Sequence, residues 1–490
     1  MAESHPSPDR TTTEVRTLLL SRSRAARLLG AAAFTLLPLA AQAADIDGAR
    51  LAGWWSLPFA GVLLSIALFP LLAPFIWHHH YGKITAAWSL AFLLPFAALF
   101  GPAVAGAGLV HALVAEYIPF IVLLTALFTV AGGIYIRGNF HGSPAFNSLL
   151  MAIGAVLASF MGTTGASMLM IRPLIRANDN RRHNAHVVVF FIFIVSNAGG
   201  SLTPLGDPPL FLGFLKGVEF TWTLRNLFPE TLFLIGALLA LFFLVDTWYY
   251  RREGVEKIDP TPDTPSFGME GKVNFLFLLG IVALVLMSGT WKPGVSYDIA
   301  GTPVGLEQLL RDAALLVIIG LSLYLTPVRA RQQNEFSWAP MAEVAKLFAG
   351  IFITITPVLA MLKAGTAGAF APVVQLVTAL DGQPIPAMYF WASGLLSSFL
   401  DNAPTYLVFF NLAGGDPAVM MTTLAPVLAA VSAGSVFMGA NSYIGNAPNL
   451  MVKAIAEERG VKMPSFFGYM AWSAVLLIPL FGLMTLIWFR

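Results

Sequence analysis

The chain has no cysteine at all. Disulfides, iron–sulfur clusters and thiol chemistry are therefore excluded, while the compartment stays open, because cytosolic and exported proteins alike can lack thiols. Charge is equally scarce. Only 11% of the 490 residues are Asp, Glu, Lys or Arg, against roughly a quarter in a soluble domain. The net charge of +2 gives no pointer to nucleic acid, because the basic residues are spread among loops with no strongly basic patch, and no nucleic-acid partner is expected. No Walker loop, HExxH pair or nucleophile triad is present, so an enzyme is not expected.

What the chain does have is hydrophobic length. Apolar residues make up 57% of it, and the runs Trp54–Trp77, Ile84–Ala107, Tyr117–Ile136, Leu227–Tyr250, Val273–Met287, Ala313–Leu325, Val344–Met361 and Ser465–Phe489 approach the ~20 residues that span a bilayer. This is an integral membrane protein whose first partner is lipid. At the N-terminus, Arg22, Arg24 and Arg27 precede an apolar run from Leu28 to Ala40 that ends in Ala41-Gln42-Ala43. That pattern predicts a signal peptide over residues 1–43, or an uncleaved N-terminal anchor; either places residue 45 outside the cytoplasm. Threading from there puts His78–Lys83, Arg137–Ser143, Arg172–His186, Tyr250–Lys272, Pro327–Lys346 and Lys453–Met463 in cytoplasmic loops. These hold most of the Lys and Arg, as the positive-inside rule requires. The expected location is an inner (plasma) membrane of bacterial type.

The threading closes only if two apolar segments, residues 145–175 and 387–412, do not cross but enter and leave on one side as hairpins. Their polar tips are Gly162-Thr163-Thr164-Gly165 and Asp401-Asn402-Ala403-Pro404. Each hairpin is followed by a run broken by polar, Gly/Pro-rich residues. Gly200-Ser201-Leu202-Thr203-Pro204-Leu205-Gly206-Asp207-Pro208-Pro209 corresponds to Gly439-Ala440-Asn441-Ser442-Tyr443-Ile444-Gly445-Asn446-Ala447-Pro448 at a constant separation of 239 residues. Pro lacks a donor and blocks helix continuation and Gly-Gly weakens it, so each run is expected to unwind and restart as a half-helix. An odd number of crossings lies between the copies, which inverts the second relative to the first. Paired broken segments of this kind point to the binding site of a secondary transporter.

The expected fold class is thus an all-α integral membrane protein, an inverted-topology repeat with two re-entrant hairpins and two broken helices. A first half, 44–250, contains hairpin 145–175 and broken helix 186–217; a second, 272–490, contains hairpin 387–412 and broken helix 418–457; residues 251–271 link them on the cytoplasmic side. Freed carbonyls and the side-chain oxygens of Ser196, Asn197, Ser201, Thr203 and Asp207 make a hard-oxygen set suited to a small cation, to which the second copy adds Ser435, Asn441, Ser442, Asn446 and Asn449. The same small residues could instead serve close helix packing, although packing alone leaves the equal spacing, the prolines and the acids unexplained. Asp207 and Asp401 are the acids expected within the hydrophobic thickness. A charge there costs roughly 2.5–3.5 kcal/mol on insertion scales, which makes such residues functional candidates, and on one buried carboxylate a proton and a cation compete. The alternative for Asp207 is a helix N-cap before Pro208. His78-His79-His80 reads as an interface marker rather than a metal site, and Glu116 and Glu343 as helix-start acids.

At Ser196–Pro209 (SNAGGSLTPLGDPP), Phe399–Thr405 (FLDNAPT) and Gly439–Asn449 (GANSYIGNAPN) the chain resembles the ion transporter superfamily. Within it, the likeness is to the citrate-transporter-like branch that includes NhaD-type sodium/proton antiporters and, more distantly, arsenite permeases and dicarboxylate/sodium symporters. The resemblance implies a homodimer with a scaffold domain and a moving transport domain that works as an elevator. The dicarboxylate branch has SNT at both clamps; here Ser196-Asn197-Ala198 and Gly445-Asn446-Ala447 stand there, a departure that bears on carboxylate binding. The leading expectation is exchange of sodium (or lithium) for protons with no resident cofactor. Asp207, Asp401, Asn197 and Asn446 would bind sodium, and Ser196, Thr203, Thr164, Asn402 and Asn441 would complete the site. The alternative is a cation-coupled symporter of citrate or another organic anion; arsenite permeation comes third. A tricarboxylate favours a basic group near the tips, where only Arg172 and Arg176 come into question, and both read as cytoplasmic flank.

Overall fold

The computed structural model describes residues 47–138, 140–253 and 268–490. The signal or anchor expected over 1–43 lies outside the described residues, as does most of the 251–271 linker.

Proline and glycine punctuate the first helices. Helix α1 (Leu57–Leu72) stops at Ala73 because Pro74 follows, and Pro74 opens α2 (Pro74–Phe100). Gly101, at φ 93°, ends α2, and Pro102 opens α3, which runs Pro102–Ala131. Pro119 deprives α3 of a donor, and just before it the helix widens into a π-turn over Ala112–Tyr117. Two expectations are corrected here. His78–Lys83 is no loop but lies in the opening turns of α2, where His79 Nδ1 meets the carbonyl of Phe75 at 2.9 Å. Glu116 starts no helix either: it sits inside the π-turn of a continuous span.

After strand β1 (Tyr135–Arg137) comes the first helical hairpin, α4 (Pro144–Met161) and α5 (Thr163–Ala177). Ser143 Oγ caps α4 by accepting from Phe146 N, and Gly162, at φ 81°, turns the chain back at the tip. The open end is tied by Gly142 N donating to Ala177 O at 2.5 Å and by Asn147 and Asn178, which exchange amide hydrogen bonds of 2.9 Å. Next, α6 (Ala185–Ile194) unwinds through a 3-10 turn, Ala198–Ser201, and the chain restarts as α7 (Pro208–Leu215). Both pieces are apolar and buried on nearly every side, which fits the middle of a bundle.

Helix α8 (Trp222–Arg252), strand β2 (Gly268–Glu270), which pairs antiparallel with β1, and helix α9 (Val273–Thr290) follow. A ribbon of β3 (Ser296–Ile299) and β4 (Thr302–Gly305) turns on Ala300 and Gly301, both at positive φ. Helices α10 (Leu306–Leu325), α11 (Val328–Gln333), α12 (Ala339–Lys363) and α13 (Ala371–Leu376) complete the frame. The pattern of hairpin and broken helix then recurs: α14 (Pro386–Ser397) and α15 (Asn402–Leu412), a short α16 (Pro417–Met421), then α17 (Ala425–Phe437), a 3-10 turn at Met438–Asn441 and α18 (Ala447–Glu458). Helix α19 (Phe466–Trp488) closes the chain.

Among the described residues nine helices are long and apolar enough to cross a membrane. Leu316, Val317 and Tyr324 stand exposed on α10, and Leu232 and Leu244 on α8, an apolar exterior suited to lipid. The protein is an all-α, multi-pass membrane protein; the two sheets among its described residues are two-stranded ribbons.

Candidate functional site

The two uncoiled stretches are built by the same hydrogen bonds. Thr203 Oγ1 donates to the carbonyl of Ser159, and Ser442 Oγ to that of Ser398. Each hydroxyl also accepts a backbone N–H two residues on, from Leu205 and from Ile444, both at 3.2 Å. Ser159 Oγ donates to Gly199 O at 2.7 Å, and Ser398 Oγ to Met438 O at 3.1 Å. Gly200 packs its backbone on that of Gly206, and Gly439 on that of Gly445, so closely that a Cβ on Gly206 or Gly445 would overlap the opposite main chain. Every one of these contacts recurs at the separation of 239 residues.

The symmetry breaks at the functional positions. Asp207 and Asn446 occupy equivalent places before the half-helices α7 and α18, with extended backbones and no side-chain capping bond. For Asp207 the reason is local: Pro208 and Pro209 have no N–H to offer and that of Leu210 goes to the Asp207 carbonyl at 3.1 Å, so the carboxylate turns to other partners. Thr163 Oγ1 donates to Oδ1 at 2.9 Å, Asn446 Nδ2 reaches the same oxygen at 3.3 Å, and Asn402 Nδ2 donates to Oδ2 at 2.5 Å. Both hairpin tips and both broken helices thus meet on one carboxylate that is 2% exposed. Asn446 Nδ2 is also 3.2 Å from Asn197 Oδ1 and from the carbonyl of Ser196.

Of the residues singled out in the sequence, Asp207, Asn402, Asn446, Asn197 and the Ser196 carbonyl converge here. Ser196 Oγ faces away toward Ser167 Oγ, 2.8 Å distant. Thr203 is spent on the backbone of Ser159, and Asn441 Nδ2 donates to Ser398 Oγ at 2.9 Å, beside the second tip rather than at Asp207. Asp401 accepts from Ala403 N at 3.1 Å and caps α15, one residue from Asn402, which reaches Asp207. Thr164 lines the adjoining cavity; its neighbour Thr163 makes the bond to Asp207. Gly162 starts α5 in such a way that the first threonine of the pair, not the second, points at the acid. Two oxygens near the tips, Asn402 Oδ1 and Asn441 Oδ1, are buried without a partner.

A cavity of about 100 Å³ opens beside Asp207, between the tip residues Gly162–Gly165, Leu205–Pro208, Leu124 and Phe128 of α3, Pro340, Met341 and Val344 of α12 and Met451 of α18. Asp207 is the one charged residue on its described walls. Arg172 and Arg176 stay outside it: Arg172 Nη2 pairs with Glu335 at 3.0 Å, and Arg176 donates to Tyr135 Oη and Ile136 O.

Acids within the candidate spans were misplaced or missed by the sequence reading, Glu116 and Glu230 among them. Glu116 forms an ion pair with Lys216 at the end of α7, and Glu230, 5% exposed on α8, has one carboxylate oxygen without a partner. Neither sits in a motif; a tally of acids inside apolar runs would have found Glu230, which falls between Leu227 and Tyr250.

A family model described as "Putative citrate transport" matches residues 48–489. No curated protein matches the chain.

Proposed function

The chain belongs to this citrate-transporter-like family of membrane transporters, and within that frame we propose that it exchanges sodium or lithium for protons across an inner, plasma-type membrane by alternating access. The carrying observation is the Asp207 carboxylate, buried where both tips and both uncoiled segments meet and standing as the one charge among the described residues on the walls of the adjoining cavity. A carboxylate at that depth is costly as a bare anion. It can be neutralised by a proton or by a small cation, and the two exclude each other, which is the requirement of an antiporter. Asp401, one residue from Asn402 at the second tip, is the proposed partner acid. Asn197, Asn446, Ser196 and Asn402 would supply neutral oxygens; turning the Asn402 amide exchanges its donor for an oxygen that now has no partner.

The repeated hydrogen bonds support two halves of common build, which we read as an inverted repeat carried in a homodimer and moving as an elevator. The cavity lies toward the ends of α3 and α12 that the positive-inside rule places in the cytoplasm, so the arrangement is read as inward-facing.

The family description favours a second reading, symport of citrate or another organic anion. Against it stands the cavity wall, which among the described residues offers no Lys or Arg to a tricarboxylate. Titration calorimetry on the purified protein separates the two. The antiport reading expects saturable heat from sodium or lithium at constant pH and none from citrate; citrate binding without a sodium response would reverse the assignment.

A further inference from the structure

Asn449 and Asn197 stand outside the repeat. The residue equivalent to Asn449 in the first half is Leu210, and the residue equivalent to Asn197 in the second is Val436, both buried and apolar. Yet the two asparagines bond to each other: Asn197 Nδ2 donates to Asn449 Oδ1 at 2.7 Å, although 252 residues separate them. Both are fully buried.

Asn449 commits its whole amide. Besides accepting from Asn197, it donates through Nδ2 to Gly439 O and Ser442 O, each at 2.9 Å. Those carbonyls belong to the uncoiled stretch of the second half. Asn197 opens the uncoiled stretch of the first, where its Nδ2 also donates to Ile192 O at 2.9 Å, and its Oδ1 receives Asn446 Nδ2 beside Asp207. The chain of contacts therefore runs from Gly439 and Ser442 through Asn449 to Asn197, then Asn446, then Asp207. With all its polar atoms engaged on protein, Asn449 is a poor ligand for a transported ion and a good bolt.

We infer that Asn449 is a positioning residue that joins the two uncoiled segments through Asn197 and thereby sets the ion affinity of the Asp207 site. A purely repeated framework would have put Leu and Val here and left the segments to slide. The asymmetric amide pair fixes their register, so Asn197 Oδ1 and Asn446 Nδ2 stay where they meet beside Asp207. The inference rests on the cation reading of Asp207 and extends it.

The test uses full-length protein in proteoliposomes, with Asn449→Ala, Asn197→Ala, the double variant, and Asn411→Ala as a control, since Asn411 Nδ2 bonds only the carbonyl of Leu407 in its own helix. Sodium-driven proton movement is measured for KM and maximal rate. The expected result is a KM for sodium raised about tenfold in each single variant, with the maximal rate reduced less than threefold, no further rise in the double variant, and no change in the control. An unaltered KM in either single variant, or effects that multiply in the double, overturns the inference. If the wild type shows no sodium response, the cation reading fails instead, and melting temperatures judge the bolt: losses shared by the two single variants support it, and additive losses contradict it.

Discussion

Asn402 Nδ2 lies 2.5 Å from Asp207 Oδ2, although 195 residues separate them. The tip of the second hairpin therefore holds one carboxylate oxygen of the first half, while Thr163 at the first tip holds the other. Any displacement of either hairpin changes the surroundings of a single acid, so that under the proposed function a movement and an ion-binding step would become one event.

Removal of either donor should weaken the site without unfolding the protein. Thr163→Val keeps the shape and deletes the hydroxyl; a hydrogen bond to a charged group contributes about 1.5–3 kcal/mol, or roughly ten- to a hundredfold in affinity. Sodium titrations of Thr163→Val and Asn402→Ala should show losses of that order, and an unchanged affinity would remove Thr163 from the site.

The close approach of Gly206 to Gly200 predicts that even a methyl group is excluded there. Gly206→Ala and its counterpart Gly445→Ala should abolish transport, because the added Cβ collides with the main chain that shapes the uncoiled segment. Gly236, with open space around its Cβ position, supplies the comparison: Gly236→Ala should be silent. Vesicle transport assays on the three variants, normalised to protein in the membrane, check this.

A buried charge network at the base of the first hairpin should matter for stability rather than for transport chemistry. Asp246 Oδ1 pairs with Arg181 Nη1 at 2.6 Å and with His186 Nε2 at 2.8 Å, while Oδ2 receives Asn147 Nδ2 at 3.1 Å. Asp246→Ala takes from the buried Arg181 guanidinium its nearer acid and leaves Glu253 at 3.3 Å as the other, so the cost is expected at or below the lower end of the about 3–5 kcal/mol for breaking a buried pair. The measurement is thermal unfolding in detergent, where a drop of less than ~1 kcal/mol would show that the network is dispensable.

Glu335 predicts a pH dependence. It bridges Arg172 at 3.0 Å and Arg459 at 2.7 Å from a backbone held at φ 51°. Burial alone would raise its carboxyl, but the hydrogen bonds and charges of the two arginines outweigh that and hold it below the usual Glu value. A depressed carboxyl stabilises the fold above the unfolded value, about 4.3, and the contribution is lost as pH falls through the folded one. Because the side chain is 46% exposed, the bridge is expected to contribute about 1 kcal/mol or less. Glu335→Gln should melt below the wild type at pH 7 and alongside it near pH 3; a gap that persists in acid would contradict the assignment.

Much of this architecture was legible because its chemistry is local. A Gly pair, a hydroxyl two residues before an amide and a Pro-opened half-helix each leave a mark in the sequence, and the mark recurs at Thr203 and Ser442, Gly206 and Gly445, Asp207 and Asn446. Boundaries were less legible. The polar run His78–Lys83 looks like a loop, yet the break that matters is one proline earlier, at Pro74, and a helix can carry polar turns beyond the apolar core. The π-turn around Glu116 was hidden because one extra residue per turn changes no composition. Thr163 and Thr164 differ only in which way the backbone at Gly162 aims them. The Asn197–Asn449 bond joins positions with no common spacing, and only the packed chain brings them together.

The most direct test of the central claim is proton movement driven by a sodium gradient in proteoliposomes, compared between wild type and Asp207→Asn. The account predicts saturable exchange in the wild type, equally with lithium, and its loss in the variant while the protein remains folded and in the membrane. Full exchange by Asp207→Asn would contradict it.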